Sequence, residues 1–134
     1  MKQLLFFPAF FFFAAVTFAQ QSNQTAVVGG KQADHLEWIN GTTHDFGQVK
    51  LNDIVSCTFE FINNGKQPVT ILKAAPSCSC TVPEFSKDPV LPGQKGTVKA
   101  TFNAHKPGPI EKNIVVMTDL KDTVVLKLAG EVVQ

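Results

Sequence analysis

The chain has 134 residues, 44% of them hydrophobic, and its 12 lysines, with no arginine, face 11 Asp and Glu for a formal net charge of +1 at pH 7. Without arginine's planar fork or any basic run, it has no means of gripping phosphates or tracking a nucleic acid backbone, which argues against nucleic acid binding. The three cysteines, Cys57, Cys78 and Cys80, cannot form a fully paired framework, so at least one sulfur is left over.

The N-terminal "MKQLLFFPAFFFFAAVTFAQ" places Lys2 before an apolar run that closes on Thr17 and Ala19, the small residues of a signal-peptidase site. The run is short for a membrane span, which needs about 20 apolar residues. It predicts a signal peptide over 1–19 and leaves no stable membrane span after cleavage. Its removal takes Lys2 and seven of the 12 phenylalanines, so the mature chain carries 11 lysines against 11 carboxylates. Residues 20–34, polar and glycine-bearing without hydrophobic period, read as a flexible linker. A single domain is expected over 35–134.

From His35 onward the dominant period is two. "HLEWIN" reads as a first strand. In "DIVSCTFEFINN", Val55, Cys57, Phe59 and Phe61 alternate with Ser56, Thr58 and Glu60, giving one apolar and one wet face. "PVTILKA" follows, then "KGTVKATFN" with Val98, Ala100 and Phe102 inward, then "IEKNIVVMTD" and "TVVLKLAGEVV". The clusters "NNGKQ", "LPGQKG", "HKPGP" and "DLKD" supply turns between them. No segment holds helical spacing for three turns. The pattern predicts an all-β fold, an Ig-like β-sandwich of about seven strands after a cleaved signal peptide. The bridging cysteine and core tryptophan of a true immunoglobulin domain are absent from their usual strands, so the likeness is one of architecture.

The motifs "THDFGQV" (43–49), "FEFINNG" (59–65), "SCSCT" (77–81), "LPGQKGTVKATFN" (91–103) and "LKLAGEVV" (126–133) resemble, in order and spacing, a family of secreted bacterial domains known only as a domain of unknown function. That family is distantly similar to the Ig-like domains of major sperm protein and of pilus chaperones. The resemblance runs over roughly 36–134 and implies an exported bacterial Ig-like domain with no assigned activity. Family members commonly read Cys-Gly-Cys-Thr where this chain has Ser79, which resists a positive backbone angle if the turn requires one.

Catalytic motifs are missing: there is no Gly-x-Ser-x-Gly elbow, phosphate loop or His-Glu-x-x-His helix. His44 and Asp45 of "HDFG" are acid–base residue types, but a structural role is expected: Phe46 filling the core at the end of the first strand, Gly47 turning the chain, Asp45 bonding backbone amides. The chemistry concentrates in Cys78 and Cys80. In an extended segment their Cα atoms would stand near the 6.8 Å limit for a disulfide, so a bond between them needs a local kink. Cys57 is either a small core hydrophobe or the partner of Cys78 or Cys80. Two thiolates on one face also suit Cu(I), with His44 or His105 adding a nitrogen; the candidate metal set is Cys78, Cys80 and His105.

The sequence thus predicts a periplasmic or secreted, non-catalytic binding or scaffolding module with no cofactor and an unknown protein or cell-envelope partner. The alternative, from a different class, is a periplasmic thiol-redox or copper-handling protein that uses the Cys78/Cys80 pair.

Overall fold

The strict alternation in Ile54–Asn63 and Lys95–Asn103 fits only a half-buried strand, and the two segments pair antiparallel with Cys57 opposite Ala100 and Phe59 opposite Val98. The structure, a computed structural model, describes residues 35–134; the expected signal peptide and linker lie outside the described residues. Eight strands follow in order: β1 (Leu36–Trp38), β2 (Thr43–Lys50), β3 (Ile54–Asn63), β4 (Ile71–Pro76), β5 (Thr81–Phe85), β6 (Lys95–Asn103), β7 (Gly108–Thr118) and β8 (Thr123–Val133). They form two four-stranded sheets, ordered β1-β3-β6-β5 and β2-β8-β7-β4. All ladders are antiparallel except β2 on β8, which is parallel. The fold is therefore an all-β, Ig-like sandwich.

Alternate residues of β3, β6, β7 and β8 enter the core. Phe59, Phe61, Val98, Ala100 and Phe102 from one sheet meet Ile110, Ile114, Val116, Leu126 and Leu128 from the other, and all ten are buried. No bridge crosses between the sheets at Cys57, which is free and buried. Trp38 caps one end of this core, its ring 5.1 Å from that of Phe61 and 6.5 Å from that of Phe59.

Eight strands stand where about seven were expected. "TVPEF" forms β5 although Pro83 demotes it as a strand by sequence; it survives as an edge, where one missing N–H costs no ladder bond. "HDFG" also lies inside β2 rather than at the end of the first strand. There the register shifts between Asp45 and Gln48, Asp45 accepts the Gly47 amide at 2.7 Å, and Gly47 takes φ +65°. This bulge brings Gly47 against Gly130 of β8, where a Cβ would sit 2.8 Å from the Gly47 carbonyl oxygen. The "DFG" and "AGEV" motifs are thus two halves of one close backbone approach.

Candidate functional site

The cysteine pair occupies the crossing from one sheet to the other. Pro76 ends β4, Thr81 opens β5, and the four residues between them are pinned at both sides. The Ser77 amide donates to the Asn113 carbonyl at 2.8 Å, and the Asn113 amide donates to the Ser77 hydroxyl at 3.0 Å. On the opposite sheet the Asn103 amide donates to the Cys80 carbonyl at 2.9 Å, while a turn closes from the Thr81 amide to the Cys78 carbonyl at 3.3 Å.

That turn supplies the kink the sequence required. It draws the Cα atoms of Cys78 and Cys80 to 5.3 Å, and the two sulfurs are bonded to each other. Ser79 meets no backbone conflict: among the described residues only Asn52 and Lys121 are non-glycine residues with positive φ. A disulfide closing a three-residue loop removes only about 1.6 kcal/mol of chain entropy, against about 3 kcal/mol for the loop of about 20 residues that a bridge from Cys57 would have closed. As a staple it contributes little. Both cysteines are half-buried, and Cys78 Sγ lies 3.6 Å from the hydroxyl of Thr81, a residue only 2% exposed.

Cys80 also lines a cleft of about 420 Å³ together with Phe102, His105, Lys106, Pro107 and Lys112. The β6–β7 connection carries His105 and Lys106 into it, so His105 and Cys80 share one wall system, whereas His44 packs on Phe46 and Phe59 elsewhere, with ring centres at 4.7 and 6.5 Å. Among the described residues no three His, Cys, Asp or Glu side chains gather into a metal-binding group, and the disulfide occupies both sulfurs of the Cys78, Cys80 and His105 set.

Cys57 stands apart from this chemistry. Burial pushes its thiol up to about 11. The unfolded chain, with its thiol near 9, releases this proton first, so folding stability is complete below pH 9 and falls as pH rises from 9 toward 11. Urea melts of the wild type should therefore weaken across that window, and those of Cys57→Ala should weaken less; parallel pH profiles would show that the thiol is not desolvated by the fold.

A second candidate surface was not legible in the sequence. On the outer face of the β2-β8-β7-β4 sheet, Val115 pairs with Val125 on one side and Ala75 on the other, and Met117 pairs with Lys73. Leu72 is 64% exposed, Met117 43% and Val125 41%. Leu72, Met117 and Lys121 border a shallow depression of about 360 Å³. Exposed Ile54 and Val82 belong to the other sheet, with polar Asn103 and Thr101 of β6 opposite them, and exposed Ile39 and Leu91 lie outside the strands. Lys73, Lys121 and Lys127 surround the apolar row.

Among solved structures, the chain is similar to a protein of unknown function from Porphyromonas gingivalis W83 at 16% identity, with a TM-score of 0.63 over 81% of this chain and 51% of that one. It is similar to the ASH/PapD-like domain 7 of human CEP192 at 14% identity and TM-score 0.60, covering 75% of this chain and 86% of that domain. A third similarity, at 12% identity and TM-score 0.57 over 72% of this chain, is to the secreted serine protease VesC from Vibrio cholerae, of which only 23% is covered. The chain thus spans about a quarter of the protease and about half of the Porphyromonas protein, and at these identities the likeness is one of fold. No curated protein matches it. The match that reaches through sequence is to a protein family of unknown function, DUF1573, over residues 37–132, and the chain belongs to that family.

Proposed function

We propose that this chain is an exported, non-catalytic interaction module of the periplasm or the extracellular space, which docks a protein or cell-envelope partner on the outer face of its β2-β8-β7-β4 sheet. The observation that carries this reading is the row of exposed Leu72, Met117 and Val125 with half-buried Val115 between them, whereas the other exposed apolar side chains among the described residues are dispersed. Its Ig-like architecture, shared with a PapD-like domain, fits a binding role.

The sheet edges favour docking on a face over strand addition. β1 has three residues, β5 five with Pro83 among them, β2 carries the Gly47 bulge, and β4 carries a register shift, Lys73 and a terminal proline. Each of these devices obstructs an added strand. The flanking Lys73, Lys121 and Lys127 select a partner segment that is apolar at its centre and acidic beside it. No helix among the described residues is long and apolar enough to cross a membrane.

A photo-crosslinking side chain placed at Val125 in the exporting cell should yield one discrete adduct, whereas the same probe at Thr58, on the outer face of the other sheet, should yield none. Lys73→Glu should weaken the Val125 adduct at least fivefold. Adducts of equal yield from both positions, or none from Val125, would remove the face from consideration.

A further inference from the structure

We propose that the Cys78–Cys80 disulfide is a thiol–disulfide exchange site that takes two electrons from a peptide dithiol seated in the adjoining cleft. This inference is independent of the docking face, and the exchange is stoichiometric, each disulfide oxidising one dithiol. Three features of the crossing carry it: a cysteine in the wall of a cleft, a polarity to the bond, and cations where a thiolate would approach.

The two sulfurs are not equivalent. Cys80 lines the cleft; Cys78 does not, and faces the buried Thr81 hydroxyl at 3.6 Å. A nucleophile in the cleft therefore meets Cys80, and the sulfur that must leave is the one with a hydroxyl donor beside it. A hydrogen bond to a developing thiolate favours its departure. Lys106 and Lys112 border the same cleft and favour the thiolate form of an incoming cysteine, as neighbouring cations do elsewhere.

The step balances within the groups present. A substrate thiolate attacks Cys80 Sγ, the Cys78–Cys80 bond breaks, and its electron pair leaves on Cys78 as a thiolate that accepts from Thr81. The substrate's second thiolate then attacks the substrate sulfur joined to Cys80, forms the substrate disulfide and releases Cys80. Two electrons pass from the substrate to the protein pair, and the two substrate protons end on Cys78 and Cys80. The pinned turn, held by Asn113 on one side and Asn103 on the other, keeps both cysteines in place throughout.

The test is exchange of the oxidised mature protein with glutathione at pH 7, against the oxidised synthetic peptide PSCSCTVP, which has the sequence of residues 76–83 but no cleft. The protein should react at least fivefold faster than the peptide. Rapid alkylation and fragmentation should find glutathione on Cys80 and the alkyl group on Cys78. Thr81→Val should slow exchange at least threefold, and Thr81→Ser, which keeps the hydroxyl, should restore it. A rate advantage below fivefold, or glutathione mainly on Cys78, overturns the proposal without need of any variant.

Discussion

Phe61→Ala is expected to destabilise the domain by about 3–5 kcal/mol, the cost of removing a large ring from a site that cannot close over the void. Phe61 is fully buried. Trp38 lies against the ring at 5.1 Å between centroids, and Gly96 opposes it across the β3–β6 ladder. A Cβ at Gly96 would collide with the ring itself, which is why this position of β6 is a glycine. Neither the β3–β6 ladder nor the facing sheet can shift inward without breaking pairing. A lower urea midpoint with an unchanged slope is the signature to look for. A loss under 1 kcal/mol would mean that the inner face of β3 has been assigned to the wrong register.

Asn63→Asp is expected to cost about 3 kcal/mol at pH 7, although it changes almost no volume. The Asn63 side chain is completely buried and uses both ends of its amide. Its Nδ2 donates to the Gln67 carbonyl at 2.7 Å and the Val90 carbonyl at 2.9 Å, while its Oδ1 accepts the Gly65 amide at 2.9 Å. The substitution keeps the acceptor and turns the donor into a carboxylate oxygen facing two carbonyls, so two bonds of about 1–1.5 kcal/mol are lost and a buried charge is added. Burial and the two carbonyls favour the protonated acid, raising the folded-state value above the ordinary one near 3.9. The unfolded chain ionises first as pH rises, so the penalty is smallest near pH 4 and grows toward neutrality. Melts at pH 4 and pH 7 check both size and direction; equal and small losses at the two values would deny the amide its role in holding the β3–β4 connection.

Asn63 also marks where the sequence stops being readable. Its part in "FEFINNG" looks like ordinary turn chemistry, because one of its partners, Val90, is 27 residues away. The alternation of Val55 to Phe61 and of Val98 to Phe102 was legible because each strand buries one face and the period of two needs no knowledge of partners. β5 was not, since Pro83 cancels the local signal and only the edge position next to β6 explains its tolerance. The parallel pairing of β2 with β8 joins segments at opposite ends of the domain and leaves no local trace. Leu72, Met117 and Val125 look like core residues in any window; the pairing of β7 and β8 turns Met117 and Val125 outward, and the register shift in β4 leaves Leu72 exposed.

The candidate site divides in the same way. Nearness in sequence exposed Cys78 and Cys80, and extended-strand geometry called for a kink if they were to bond; the turn between them brings their Cα atoms to 5.3 Å. Which cysteine lines a cleft, and that Lys106 and Lys112 border it, depends on the β6–β7 connection folding back beside the turn. No spacing rule reports that. Whether Cys57 joins the pair was open by sequence and is answered by its position in the middle of β3, away from the crossing.

The proposed export of this sandwich, and the confinement of its disulfide to one turn, are tested most directly by intact mass of the protein recovered from the cell envelope, with iodoacetamide as the thiol probe. The mature chain should begin at Gln20, following cleavage after Ala19. It should take no alkyl group when native, one, on Cys57, when unfolded without reductant, and three after reduction and unfolding, in keeping with one free buried thiol and one disulfide. A chain beginning at Met1, or a single alkyl group found on Cys78 or Cys80 with Cys57 held in the bridge, would contradict it.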